Sequence, residues 1–130
     1  MRFLSMIRVN ENSDLVPSEQ LMADMGKLMQ EMTEAGVLLD TAGLRPTSEG
    51  ARIRLTRGKL SVTDGPFSES KEVIGGFALI QVETREEAIK WGRRFLEVHG
   101  DEWDIECEVR QVDDGACRSL MEEEQAAHCV

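Results

Sequence analysis

The sequence predicts an α+β fold of the ferredoxin-like, split βαβ kind, with an extra hairpin, closing as a dimeric α/β barrel. Three observations carry this. Short stretches with period-two alternation are interleaved with two stretches whose apolar residues step at helical spacing. Their order is strand, helix, strands, strand, helix, strand. The two stretches that this topology sets side by side in the centre are apolar on both faces.

Composition bounds the rest. A chain of 130 residues fits one domain, here residues 1–112, followed by an acidic tail at 113–130. Hydrophobic residues make up 41%, and 11 glycines bring the chain to a globular composition, so a modest core is affordable. The 25 acidic against 15 basic side chains leave a net charge of −10. That argues against nucleic acid and anionic membrane as partners, since both call for a cationic face. No apolar run is long enough to span a bilayer, and residues 1–8 lack the apolar stretch of a signal peptide. Cys107, Cys117 and Cys129 are odd in number and form no CxxC, as expected of a reduced, cytoplasmic protein.

The elements follow in order. Residues 2–9 read as a strand, with Phe3, Ser5, Ile7 and Val9 on one face and Leu4 and Met6 on the other. A turn-rich stretch at 10–14 leads to Pro17-Ser18-Glu19, a helix entrance with a cap and an acid at the positive end of the dipole. Leu21, Met25, Leu28 and Met32 then form one apolar stripe, flanked by Met22 and Met29, and Gly36 closes the helix. Residues 37–39 suggest a brief strand and 41–50 a long loop. A hairpin follows, with arms at 51–56 and 59–63 around Arg57-Gly58.

Asp64-Gly65-Pro66-Phe67 opens a second loop through Glu72, and Gly75-Gly76 starts a strand running to Val82. Thr84 and Glu87 have the spacing of a capping box. Ala88, Trp91, Gly92, Phe95 and Leu96 form the stripe of a second helix, ended by His99-Gly100. Residues 104–110 alternate as a last strand with one wet face.

Two helices cover only one face of such a sheet. Leaving four large apolar side chains on the other face uncovered would forgo roughly 6–12 kcal/mol, comparable to a whole domain's stability. An identical sheet from a second copy is the economical cover. The alternative is that the hairpin or the tail folds over the open face of a monomer.

Residues 63–72, Thr-Asp-Gly-Pro-Phe-Ser-Glu-Ser-Lys-Glu, followed by Gly75-Gly76-Phe77, resemble the signature of the YCII-related family, in the branch known by its DGPF motif. The resemblance runs from residues 2–9 through Gly43-Leu44-Arg45-Pro46 to residues 108–112, leaving out the tail. It implies a dimeric α+β barrel. It also implies kinship with small barrels that carry out proton-transfer, lactone or oxidative chemistry on small aromatic substrates. The DGPF branch itself mostly lacks an assigned reaction, and its association with extracytoplasmic-function sigma factors implies a bacterial regulatory setting. Other branches are thought to pair a histidine of the first helix with the loop aspartate. The matching position here is Met25, and the first helix holds no histidine, so a dyad of that design is absent.

Each candidate residue has two readings. Asp64 either bonds turn amides or, desolvated beside Phe67, acts as a general base. Lys71 and Glu72 position a ligand or pair on the surface. Arg45, Arg52 and Arg54 grip a substrate carboxylate or pair with acids across strands. Ser48 has no identifiable base. His99 suits a helix C-terminus through the dipole alone. His128 with Cys117 and Cys129 matches no standard zinc spacing. The methionines read as packing, Trp91 as core, and Trp103 as a pocket rim or a plug.

The expectation is therefore a homodimer with a small-molecule pocket near residues 64–67, taking an organic anion or aromatic ligand. Asp64 is the candidate catalytic group for proton transfer, and Arg45, Arg54, Phe67, Lys71 and Glu72 the candidate ligand contacts. No cofactor and no metal are expected. The alternative is a non-catalytic binding or regulatory module.

Overall fold

The computed structural model describes residues 1–11, 15–67 and 72–113. It contains β1 (Arg2–Val9), α1 (Glu19–Glu34), β2 (Leu38–Gly43), a 3-10 turn (Thr47–Glu49), β3 (Ala51–Thr56), β4 (Lys59–Asp64), β5 (Val73–Gln81), α2 (Arg85–His99) and β6 (Glu106–Gln111). Four strands form one antiparallel sheet in the order β2-β5-β1-β6, and β3-β4 form a separate hairpin. This is the ferredoxin-like arrangement with its additional hairpin, and β1 and β5 hold the centre as the topology requires.

Local chemistry sets the helix ends. The Leu21 amide donates to the Ser18 hydroxyl at 3.1 Å, and Gly36 beyond α1 takes φ of 73°. The Glu87 amide donates to the Thr84 hydroxyl at 3.1 Å. The Glu87 carboxylate reaches back to the Glu83 amide, one residue ahead of the cap, at 3.2 Å.

Alternation along β1 and β5 divides the sheet into two faces. Phe3 pairs with Ile80 and Ser5 with Ala78 on the helix side, whereas Leu4 pairs with Leu79 and Met6 with Phe77 on the other. The core lies under the helices, where Phe3, Leu28, Met32, Ile80, Val82 and Ala88 are buried together. Trp91, Phe95 and Val109 pack against them. Arg94 of α2 pairs with Glu31 of α1 and ties the two helices on their outer side. Leu4, Met6, Phe77 and Leu79 stay half-buried on the open face, beside the ion pair of Arg8 with Glu108 at 3.2 Å.

The strand bounds depart from the sequence expectation most at β2 and β5. Residues 41–43, expected as loop, continue β2, because Thr41, Ala42 and Gly43 pair with Ala78, Phe77 and Gly76. Ladder pairing overrides the weak strand propensity of a Thr-Ala-Gly stretch. Strand β5 begins at Val73, three residues before Gly76, and pairs Val73 with Val9 past a register shift in β1. Residues 114–130, all of the expected acidic tail except Asp113, lie outside the described residues.

Candidate functional site

The inner end of the sheet carries little side-chain volume. Gly43 of β2 sits directly opposite Gly76 of β5, and Gly76 opposite Ile7 of β1. Ser5 and Ala78, the next pair along, are also small. A helix laid over such a floor cannot close down on it without leaving a void. The void is a cavity of about 650 Å³ between α1 and the sheet. Its roof is a file of thioethers, Met22, Met25, Met29 and Met32, on one side of α1. Trp91, Phe95 and Cys107 form the far wall, and Glu11, Thr41, Leu44, Arg45 and Pro46 stand at the mouth.

The glycines are required as well as convenient. A Cβ on Gly76 would stand 3.0 Å from the Ala42 carbonyl oxygen, and one on Gly75 2.7 Å from a Val9 methyl carbon. A side chain at either position would push the Ala42 carbonyl or the Val9 side chain back.

Few polar groups face this interior. Ser5 is buried and its hydroxyl bonds the Cys107 thiol. Burial pushes that thiol above its ordinary pKa, and the smaller effect of the Ser5 bond opposes this. The Thr41 hydroxyl donates to the Phe77 carbonyl oxygen at 2.9 Å. Arg45 at the mouth is largely exposed and pairs with Glu49 at 3.0 Å.

The mouth is fastened by Glu11 and Thr47. The Thr47 amide donates to the Glu11 carboxylate at 3.0 Å, and the Thr47 hydroxyl bonds the same group. These bonds hold Glu11 below the usual carboxylate range. The 64–67 loop buttresses Thr47 from outside. The Gly65 amide donates to the Gly50 carbonyl oxygen at 2.9 Å, and the Phe67 amide donates to the Thr47 hydroxyl at 3.4 Å. The Gly65–Pro66 peptide is cis.

Of the candidate catalytic and ligand-contact residues, Arg45 alone among those described lines the cavity. Asp64 ends β4, exposed and paired with Ala51. Phe67 is half-buried beneath the Arg52 guanidinium, 3.9 Å from the ring centroid. Arg54 is exposed on β3 and Glu72 exposed before β5. Lys71 lies outside the described residues, as do His128, Cys117 and Cys129. His99 is not among the residues lining the cavity; its Nδ1–H donates to the Phe95 carbonyl oxygen at 2.8 Å, and its ring lies tilted against Phe95 and edge-on to Trp103. The sequence reading missed Glu11, Thr47, Ser5 and Cys107. It took the methionines as packing, although Met25, where the resemblance places a histidine in other branches, faces the cavity.

No group of three or more His, Cys, Asp or Glu residues among those described is placed to hold a metal ion. No helix among them is long and apolar enough to cross a membrane.

Comparison with known proteins gives two findings. The pattern of one family, described as YCII-related domain, matches residues 1–101. An uncharacterized protein of Rhizobium meliloti is 39% identical over 75 residues, covering 58% of this chain and 60% of that relative. The matched part therefore spans less than two thirds of the relative's length.

Proposed function

The chain belongs to the YCII-related domain family, and from that premise we propose that it is a homodimeric binding protein for one small, mainly apolar organic molecule. The observation that carries this reading is the cavity between α1 and the sheet. Its volume lies in the range of small-molecule sites, and its lining is apolar with a few polar groups, as such sites require. Flexible thioethers suit an aromatic or alicyclic body, since methionine adapts its shape to what it packs against. Arg45 gives the ligand an anionic end. Glu49 engages its Nε and one terminal nitrogen, and a guanidinium has further donors to offer a carboxylate or phenolate at the mouth.

Binding is favoured over proton transfer. Asp64 stands outside the cavity lining, and the carboxylate that reaches the mouth, Glu11, is already engaged by Thr47. Among the described residues no histidine lines the cavity. The homodimer reading rests on the open face, where Leu4, Met6, Phe77 and Leu79 are left without helical cover.

A thermal-shift screen with phenols, aromatic carboxylates and lactones tests the reading. A binder should raise the wild-type midpoint by mass action. Met25→Trp, which fills the cavity, should abolish the shift, and Asp64→Asn should keep it. A blank screen, or a shift that survives Met25→Trp, would remove the cavity from consideration.

A further inference from the structure

The hairpin β3-β4 contributes no residue to the cavity lining. Its turn residues Arg57 and Gly58 have φ of 51° and 80°, the mirror-image geometry that matches the twist of two short arms. Pairing sets Ile53 against Val62 and Leu55 against Leu60, so all four share one face of the ribbon. They are 73%, 67%, 67% and 73% exposed, respectively. A lone two-stranded ribbon is marginal in water, and a contiguous patch of large aliphatic side chains on a surface marks an interaction site.

Charge indicates what covers it. Residues 51–64 hold Arg52, Arg54, Arg57 and Lys59 against a single acid, Asp64. The other 116 residues hold eleven cations against 24 acids. The hairpin is the cationic arm of an anionic chain. A second copy of this chain offers that arm a body of opposite sign, and the relation is reciprocal, as a twofold interface demands.

We propose that the β3-β4 hairpin is an arm by which the chain grips a second copy of itself. Its Ile53, Leu55, Leu60 and Val62 face is buried against the partner, and its cations are drawn to the partner's acidic surface. This rests on the homodimer reading above and assigns the association to a particular element.

Sedimentation of the full-length chain over a concentration series, at low and high salt, tests it. Wild type should sediment as a dimer. The double variant Ile53→Glu/Leu60→Glu should raise the dissociation constant by at least about tenfold, as expected for loss of a buried anchor. Its far-UV circular dichroism should be unchanged, because both positions are exposed in the single chain. The charge reversal Arg54→Glu/Lys59→Glu should also weaken the dimer and abolish its salt sensitivity. A wild-type dimer whose dissociation constant is unaltered in Ile53→Glu/Leu60→Glu would overturn the arm and leave the homodimer reading intact. A wild type that sediments as a 14.6 kDa monomer throughout would overturn both.

Discussion

The backbone amide of Thr47 donates to the carboxylate of Glu11 at 3.0 Å, and the Thr47 hydroxyl bonds the same carboxylate. Glu11 follows β1 and Thr47 follows β2, so one residue fastens the ends of two strands that are not neighbours in the sheet. The same hydroxyl accepts the Phe67 amide at 3.4 Å. Three chain segments therefore meet at Thr47, beside the mouth of the cavity.

Acid should loosen this junction. The hydrogen bonds from Thr47 hold the Glu11 carboxyl below its ordinary value, against a smaller opposing effect of burial. A carboxylate whose pKa is depressed on folding adds stability at pH values above its unfolded-state pKa. That contribution is lost as pH falls through the lower folded-state value. Glu11→Gln should melt below wild type at neutral pH, and the gap should narrow as the solution is acidified past the usual carboxylate range. Paired thermal melts across pH read this directly; a gap that stays constant to low pH would contradict the assignment.

Gly65 tests the same junction by sterics. A Cβ at this position would stand 1.6 Å from the Thr47 carbonyl oxygen and 2.5 Å from its carbon. Both are backbone atoms held by the 3-10 turn, so no flexible side chain can yield. Gly65→Ala should cost at least about 1–3 kcal/mol in a urea titration. Gly26, inside α1 with no neighbour within 4 Å of an added Cβ, supplies the contrast. There alanine should stabilise by about 0.5–1 kcal/mol through helix propensity. A neutral Gly65→Ala would mean that the loop is not packed as described.

The fold was legible because its signals are local and periodic. Ser18 and Thr84 as caps, Gly36 and Gly100 as terminators, and the strand faces of β1 and β5 can all be read from spacing. The extension of β2 was not, since Thr41-Ala42-Gly43 becomes strand through its partner β5. The cavity was only half legible. Methionines on one helix face were visible, but a void needs a floor, and the floor comes from Gly43 and Gly76, brought together by strand pairing across more than thirty residues. Glu11 and Thr47, 36 residues apart, lie in turn-rich stretches where sequence offers no period. The DGPF loop drew attention to Asp64, whereas the contacts observed in this loop run through the Gly65 and Phe67 amides.

Neighbouring residues of β5 should respond differently to truncation. Ile80 is fully buried against Phe3 beneath the helices, so Ile80→Ala should cost about 2–5 kcal/mol at any protein concentration. Leu79 points to the open face and is half-buried. Under the homodimer reading, Leu79→Ala should lower the midpoint by an amount that depends on protein concentration, because association contributes to stability. Denaturation at several concentrations separates the two. An equal, concentration-independent loss at both positions would argue that the open face is sealed within one chain.

Cys107 reports on the cavity chemically. Its thiol lines the cavity and is pushed above the ordinary cysteine value by burial, an effect that the Ser5 hydrogen bond only partly offsets. The thiolate is the reactive species, so at neutral pH this sulfur should be sluggish. In a Cys117→Ser/Cys129→Ser background, an aromatic disulfide reagent should label Cys107 more slowly than an open cysteine. The rate should keep climbing at pH values where an ordinary thiol has levelled off. Ser5→Ala removes the hydrogen bond that favours the thiolate and should slow labelling further. A saturating cavity ligand should protect the thiol by excluding the reagent. Rapid labelling at neutral pH, unaffected by such a ligand, would place this sulfur outside the cavity.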